Sequence, residues 1–216
     1  MLPVTQLPPA TVRRTLLSWP LVLLAPRVLA ANDVVGHVTR VRGPAELNLG
    51  DQTRSLALGH ALPQGGRIRT GEEARLEARM RDGTLLTLGA NTEFVVAAVT
   101  PGGAARFEFL KGAFRALTGK TPGEAASSWQ VRTPVAVIGV RGTELWGGFD
   151  LLHAGAQTLD VVMLDGHGVW VQNDHGVTEL NKALDGTTVR GAGSRPAELK
   201  PWGENKLNAA VATVAW

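Results

Sequence analysis

Short apolar–polar alternation, cut at close intervals by glycine, is what most restricts the folds open to this chain. Ala45, Leu47 and Leu49 alternate with polar residues. So do Leu56 and Leu58, then Ala74, Leu76, Ala78 and Met80, then Thr84, Leu86 and Leu88. Strand side chains point to opposite faces with period two, so each set can line one buried face. Gly43, Gly50, Gly59, Gly71, Gly83 and Gly112 fall between these segments, and glycine supplies the positive φ that tight hairpin turns need. In the second half Gly142, Gly155, Gly166, Gly176 and Gly186 recur at spacings of 13, 11, 10 and 10 residues. Asp165-Gly166 and Asp185-Gly186 read as turn pairs. Short strands so spaced predict an all-β sandwich, barrel or solenoid.

Helical periodicity enters only at the end. Residues 190–203, with Gly191, Gly193, Pro196, Pro201 and Gly203, read as an irregular connector. Residues 204–216 then read as a short helix or tail with Leu207, Val211 and Val214 on one face. It is expected either to pack on the β-domain or to dock a partner through Trp216.

The first thirty residues read as an export signal. Arg13 and Arg14 form the basic region, Leu16–Ala25 an apolar stretch interrupted by Pro20, and Val28-Leu29-Ala30 a small-residue cleavage site. That stretch is shorter than the roughly twenty residues needed to cross a bilayer. Arg13-Arg14 followed by Leu16-Leu17 fits a twin-arginine signal, with the general secretory route as the alternative. The expected organisation is therefore an export signal over 1–30, an all-β domain over 31–189, a connector over 190–203 and a helix or tail over 204–216. The expected location is the periplasm.

Charge and missing residue types exclude several functions. The leader holds three of the 22 basic residues and none of the 19 acidic ones, so the remainder is neutral. No Lys/Arg run offers the basic face a nucleic-acid binder needs. There is no cysteine, which removes disulfides, cysteine-ligated metals and a lipidated amino terminus. There is also no tyrosine, and Ser55, Ser127, Ser128 and Ser194 lie in no Gly-x-Ser-x-Gly elbow. His167 and His175, near Asp165 and Asp174, lack the spacing of a metal pair and read as turn residues. No cofactor and no small-molecule substrate are expected.

Two related phrases remain. Val131-Arg132-Thr133-Pro134 and Val140-Arg141-Gly142-Thr143-Glu144 flank an apolar run, and Ile68-Arg69-Thr70-Gly71 with Asp82-Gly83-Thr84 echo them. The echo suggests one strand-and-turn unit used twice. On strands, Arg69 and Arg132 point away from Ile68 and Val131. They are candidates either for pairing with neighbouring carboxylates or for presenting a planar fork to a partner. The contact candidates are Arg69, Thr70, Gly83, Thr84, Arg132, Thr133, Pro134, Arg141, Gly142 and Thr143.

In order and spacing these phrases resemble the core of FecR-type domains. Similar segments are GHVTRVRG at 36–43, QGGRIRTG at 64–71, RDGTLLTL at 81–88, FLKGAFRA at 109–116 and VMLDGHGVWV at 162–171. The resemblance implies an all-β periplasmic domain of twisted, solenoid-like or sandwich form. It also implies a part in relaying a signal from an outer-membrane siderophore transporter to a sigma factor. The members that do so carry a cytoplasmic anti-sigma segment and a membrane span before the domain, whereas here about thirty leader-like residues precede it. The expectation is a non-enzymatic periplasmic interaction or sensory module with an envelope-protein partner. The alternative is a component of sigma-factor and iron-uptake signalling that works with a separate cytoplasmic protein, and a remote one is an enzyme acting on a cell-envelope polymer.

Overall fold

In the computed structural model, which describes residues 33–99, 104–118, 129–153 and 157–216, the chain alternates between two sheets. Sheet A receives β1 (Val34–Arg42), and sheet B then takes β2 (Ala45–Leu49) and β3 (Gln52–Ser55). β4 (Ala61–Pro63) returns to A, β5 (Arg67–Thr70) to B, and β6 (Arg75–Met80) and β7 (Leu85–Leu88) to A. β8 (Glu93–Val99) and β9 (Ala105–Lys111) lie in B, β10 (Ala113–Leu117) in A, and β11 (Trp129–Arg132) and β12 (Val137–Val140) in B. β13 (Thr143–Phe149) and β14 (Thr158–Gly166) join A, and β15 (Val169–Asn173) and β16 (Gly176–Leu180) join B. β17 (Asp185–Arg190) and β18 (Lys200–Pro201) complete A, and a helix, α1 (Glu204–Ala212), follows.

Among the described residues each sheet has nine strands. Sheet A runs β18-β17-β14-β13-β10-β7-β6-β1-β4, and sheet B runs β16-β15-β12-β11-β9-β8-β5-β2-β3. Except that β4 and β3 lie outside β1 and β2, both orders follow the chain, so the two sheets grow in step. The result is a sandwich assembled as a coil would be, each strand meeting its near neighbours in sequence. Pairing is antiparallel except between β9 and β11, which are parallel with β10 crossing between them in sheet A.

Period-two patterning makes the core. Leu76, Ala78 and Met80 of β6 and Leu86 and Leu88 of β7 are all at most 2% exposed and face Ile68, Phe107 and Val131 of sheet B in one cluster. Phe94 and Phe109 from sheet B meet Phe114 of sheet A at ring-centroid distances of 5.7 and 4.8 Å. Such pairs add about 0.5–1.5 kcal/mol beyond the area they bury.

Three expectations need correction. Leu58 does not share the buried face of Leu56: it is 71% exposed, because β3 stops at Ser55 and the chain turns, with His60 Nδ1 accepting the Ala57 N–H. Asp185-Gly186 is no turn but the start of β17. The Asp185 carboxylate instead accepts the N–H groups of Asn181 and Lys182 at 3.3 and 2.9 Å and closes the turn before the strand. The connector also contains an edge strand, β18, paired with β17.

The carboxy-terminal residues 199–216 form a strap over the outer face of sheet A. Trp202 lies over Gly186 of β17, where an added Cβ would come within 2.1 Å of the indole nitrogen. It also meets Trp146 of β13 edge-on at 6.0 Å. The helix buries Ala210, and Val214 just beyond it, against Ala113, Trp146 and Val162; of the expected row only Val214 is fully buried, with Leu207 and Val211 half-buried. Beyond it, Thr213 Oγ1 accepts the Trp146 indole N–H at 3.0 Å, and the Ala215 carbonyl accepts from Arg75 of β6 at 3.1 Å. Trp216, a candidate anchor for a partner, instead lies under the Arg40 guanidinium of β1, 4.0 Å from its ring centre. No helix among the described residues is long and apolar enough to cross a membrane.

Candidate functional site

Among the described residues the strap leaves the outer face of sheet B as the open broad face, and two of the candidate arginines stand on it. Arg69 on β5 and Arg132 on β11 are exposed, while Ile68 and Val131 beside them are fully buried. β8 and β9 lie between the two strands, so three strand spacings separate the arginines, roughly 14 Å. Arg69 pairs with Glu93 of β8, Nε to Oε2 at 3.2 Å, and Arg67 grips the same carboxylate from the other side. Burial works to raise the Glu93 pKa, but the hydrogen bonds and charges of Arg69 and Arg67 outweigh it and hold the carboxyl below its usual range. Arg132 stands opposite Glu108 of β9 in register. Its side chain has no hydrogen bond or ion pair among the described residues, and the same holds for exposed Arg141.

The threonines of the motifs have a different role. Thr70, Thr92, Thr118 and Thr143 each sit where the chain passes from one sheet to the other, and all are buried. Each reaches one coil ahead. Thr70 Oγ1 accepts the N–H of Thr92 at 2.9 Å and donates to the Gly89 carbonyl at 2.6 Å. Thr92 Oγ1 accepts the Ala113 N–H at 3.1 Å. At the opposite end of the strands Thr118 Oγ1 accepts the Thr143 N–H at 2.9 Å. Thr143 Oγ1 then accepts from Gly168 and His167 at 3.1 and 3.3 Å and donates to the Arg141 carbonyl. These hydroxyls satisfy backbone groups that these four crossings would otherwise leave buried and unpaired.

The repeated phrases are therefore not one unit used twice. After Thr70 the chain crosses from sheet B to sheet A, whereas Thr133-Pro134 turns a hairpin between β11 and β12 within sheet B. There Thr133 Oγ1 accepts the N–H groups of Val135 and Ala136 at 3.2 and 3.0 Å, and Pro134 is exposed. Asp82-Gly83-Thr84 makes a hairpin in sheet A, with Asp82 accepting both the N–H and the hydroxyl of Thr84 at 3.0 Å. Arg141-Gly142-Thr143 is a sheet crossing. The two Gly-Thr turns do need the same backbone, since Gly83 and Gly142 have φ of 83° and 58°. The structure thus gathers Arg69 and Arg132 on one face and puts Thr70, Thr84 and Thr143 inside. The export-signal residues Arg13, Arg14 and Ala30 lie outside the described residues.

Residues 66–167 match the family model described as FecR protein. Over that span, just under half of the chain, the sequence is similar to FecR domains. The matched span runs from β5 to the end of β14, so both sheets and all four crossing threonines belong to it. Two crystal structures of a protein from Parabacteroides distasonis, described as a putative anti-sigma factor, share the fold at 18% identity and a TM-score of 0.53. Each alignment covers 66% of this chain and 62% of that one, so the chain spans under two thirds of the length of those proteins. A search of curated proteins found no match. The FecR match supports a signalling or regulatory role.

One polar cluster of the chain has no signal in the sequence. Asp160 on β14 is fully buried on the outer side of sheet A. Its carboxylate meets His153 Nδ1 at 2.8 Å, Lys206 Nζ of the helix at 3.1 Å and the Thr188 hydroxyl at 2.6 Å. The Lys206 ammonium also lies 3.9 Å above the Trp202 ring. Thr188 bonds the carboxylate and not the imidazole, so the cluster does not form the hydroxyl–imidazole pair of a triad. It fastens the strap to the sheet. A groove of about 550 Å³ opens beside it, lined by His153, Thr188, Arg190, Lys200, Trp202 and Lys206.

Proposed function

We infer that this protein is a non-enzymatic interaction module of the FecR type that works in the periplasm and regulates by binding another envelope protein. The observation that carries the reading is the match to a FecR domain in which one sheet is covered by the chain's own strap and the other is left open by the described residues, its outer face bearing Arg69 and Arg132. Thr70, Thr84 and Thr143 are buried and cannot meet a partner, so Arg69, Arg132, Pro134, Arg141 and Gly83 are the exposed motif residues left to do so. Arg132 has an unoccupied planar fork suited to a carboxylate or a strand carbonyl. The export-signal pattern over 1–30 supports the location.

A second reading, participation in sigma-factor signalling with a separate cytoplasmic protein, is favoured by the fold shared with the Parabacteroides protein. Transcript profiling after gene deletion separates the two. A change confined to the genes of one extracytoplasmic sigma factor is expected if the module signals to it, and no such change would leave only the interaction role. The arginine face is tested by the double variant Arg69→Gln/Arg132→Gln, which should reproduce the deletion phenotype with a Tm lowered only by the loss of the Arg69–Glu93 pair, about 1–3 °C. A double variant that functions normally would remove that face from the reading. Export is tested by fusing residues 1–30 to a reporter that is active only outside the cytoplasm, with Arg13 and Arg14 replaced by lysine to identify the route.

A further inference from the structure

Two sheets that grow in step leave four edge strands, one pair at each end of the sandwich. At the β16–β17 end the chain covers its own opening. Thr178 Oγ1 donates to the Ala197 carbonyl at 3.1 Å, Asn173 Nδ2 donates to the Ser194 carbonyl at 2.7 Å, and Arg195 packs against Gly176. The edges of sheet A are short and carry proline, Pro63 in β4 and Pro201 in β18, a residue that cannot donate to a ladder. β3 is different. All four of its residues are exposed, and it contains neither proline nor lysine.

The pairing of β3 fixes which of its backbone groups are free. It is joined to β2 through the two-residue turn Gly50-Asp51, with Leu49 opposite Gln52. In such a hairpin the closing pair exchanges hydrogen bonds and alternate pairs follow suit. The Leu56 N–H donates to the Ala45 carbonyl at 2.8 Å, in phase with that count. Gln52 and Arg54 therefore bond to β2, while the N–H and C=O of Thr53 and Ser55 point outward from the sheet edge. Groups of that kind in that geometry specify one occupant, an extended polypeptide strand.

What lies beside the edge says more. A cavity of about 500 Å³ opens between β3 and β4, lined by Leu47, Leu49, Pro63, Gln52 and Arg54. Alternation puts Gln52 and Arg54 on the same side as Leu47 and Leu49. Arg54 reaches across to the Ala61 carbonyl at 2.7 Å but has no acidic partner among the described residues. A strand added to β3 would turn every second side chain into this mouth. It would meet apolar surface at Leu49 and Pro63 and a guanidinium at Arg54.

We propose that β3 is a strand-addition site for an extended segment of a partner protein that carries an apolar and an acidic residue two positions apart on the face turned toward Leu49 and Arg54. The proposal rests on the reading that the protein acts through a protein partner. Main-chain hydrogen bonds supply the affinity in such additions, and alternate side chains supply the choice of sequence.

The test uses the full chain and a displayed library of random ten-residue peptides. Peptides selected on the wild-type chain are expected to show apolar–x–acidic alternation and to lose tenfold or more in affinity for Thr53→Pro. That substitution removes the outward N–H and leaves the bonds between β2 and β3 in place. Thr53→Ala, which also lacks the hydroxyl that accepts from Asn48, should bind as wild type does. Arg54→Glu should abolish the acidic preference. Circular dichroism and melting identical across the variants exclude misfolding. Failure to select any peptide, or selected peptides that bind Thr53→Pro as well as wild type, overturns the proposal. So does a concentration-dependent dimer abolished by Thr53→Pro, which would make the occupant a second copy. If Thr53→Pro supports normal regulation in cells in which gene deletion abolishes it, the edge proposal falls and the partner reading stands. A deletion without effect fails the partner reading itself.

Discussion

Thr70→Val tests whether the motif threonines matter for their hydroxyls or for their shape. Valine reproduces the outline of threonine, so at a site 6% exposed packing is almost unchanged. What disappears is the acceptor for the Thr92 N–H at 2.9 Å and the donor to the Gly89 carbonyl at 2.6 Å. A buried polar group left without a partner costs about 1–3 kcal/mol. Two such groups, with some local relaxation, put the loss at roughly 2–3 kcal/mol. For a domain of this size that corresponds to a fall in Tm of about 5–10 °C. Thr70→Ser keeps the hydroxyl and removes one methyl group, which costs about 1 kcal/mol. Urea unfolding followed by tryptophan fluorescence should therefore rank wild type above Thr70→Ser and Thr70→Ser above Thr70→Val, with unchanged m-values. If Thr70 served only to fill space the last two would exchange places. A Thr70→Val chain within about 0.5 kcal/mol of wild type refutes the hydrogen-bond account of the crossings.

Glu93→Gln should destabilise the chain by about 1 kcal/mol at neutral pH, since Arg67 and Arg69 lose a charged acceptor. The Glu93 pKa is lower in the folded chain than in the unfolded one, so its contribution is present above the unfolded value and is lost as pH falls through the folded value. The gap between the two melting curves should then narrow below about pH 4. Gly139→Ala places a Cβ 1.8 Å from Trp170 Cε2; the indole must leave the sheet, and its emission should shift to the red with a stability loss of about 2 kcal/mol. Lys206→Met removes the ammonium from the Trp202 ring and leaves Asp160 with only His153 and Thr188. It should cost about 2 kcal/mol or more and expose residues 199–216 to limited proteolysis, and an unaltered digestion pattern would show that the Asp160 contact does not hold the strap.

Period-two alternation made the strand faces legible: the Leu76–Met80 and Leu86–Leu88 sets are buried as their spacing requires. It could not say which sheet receives a strand, because both sheets turn the same kind of face inward. That is why the echo between residues 68–84 and 131–143 looked like a repeated unit, although one Arg-Thr leads into a crossing and the other into a hairpin. The outward direction of Arg69 and Arg132 followed from the strand period alone. Their environment did not, since Glu93 lies 24 residues from Arg69 in sequence and no local pattern links them. The threonine pairs span 21–25 residues, one coil of the sandwich, so their partners emerge only when coils stack. Residues 190–203 look like a connector by their glycines and prolines. Trp202 becomes an anchor only because Gly186, on a strand it follows, has no side chain.

In a stack of this kind interior strands have partners on both sides, and the ends are where backbone groups remain free. This chain treats its two ends differently. At one end Ser194–Ala197 seals the opening, and the strap then runs back across sheet A from β17 to β1, tied at Asp160, Trp146, Arg75 and Arg40. The strap thus couples the last strands to the first ones without touching sheet B. Loosening it should weaken both ends of sheet A while leaving the arginine face and the β3 edge intact. Sheet A is thereby committed to stability, and among the described residues the groups available to a partner are concentrated on sheet B and at its β3 edge.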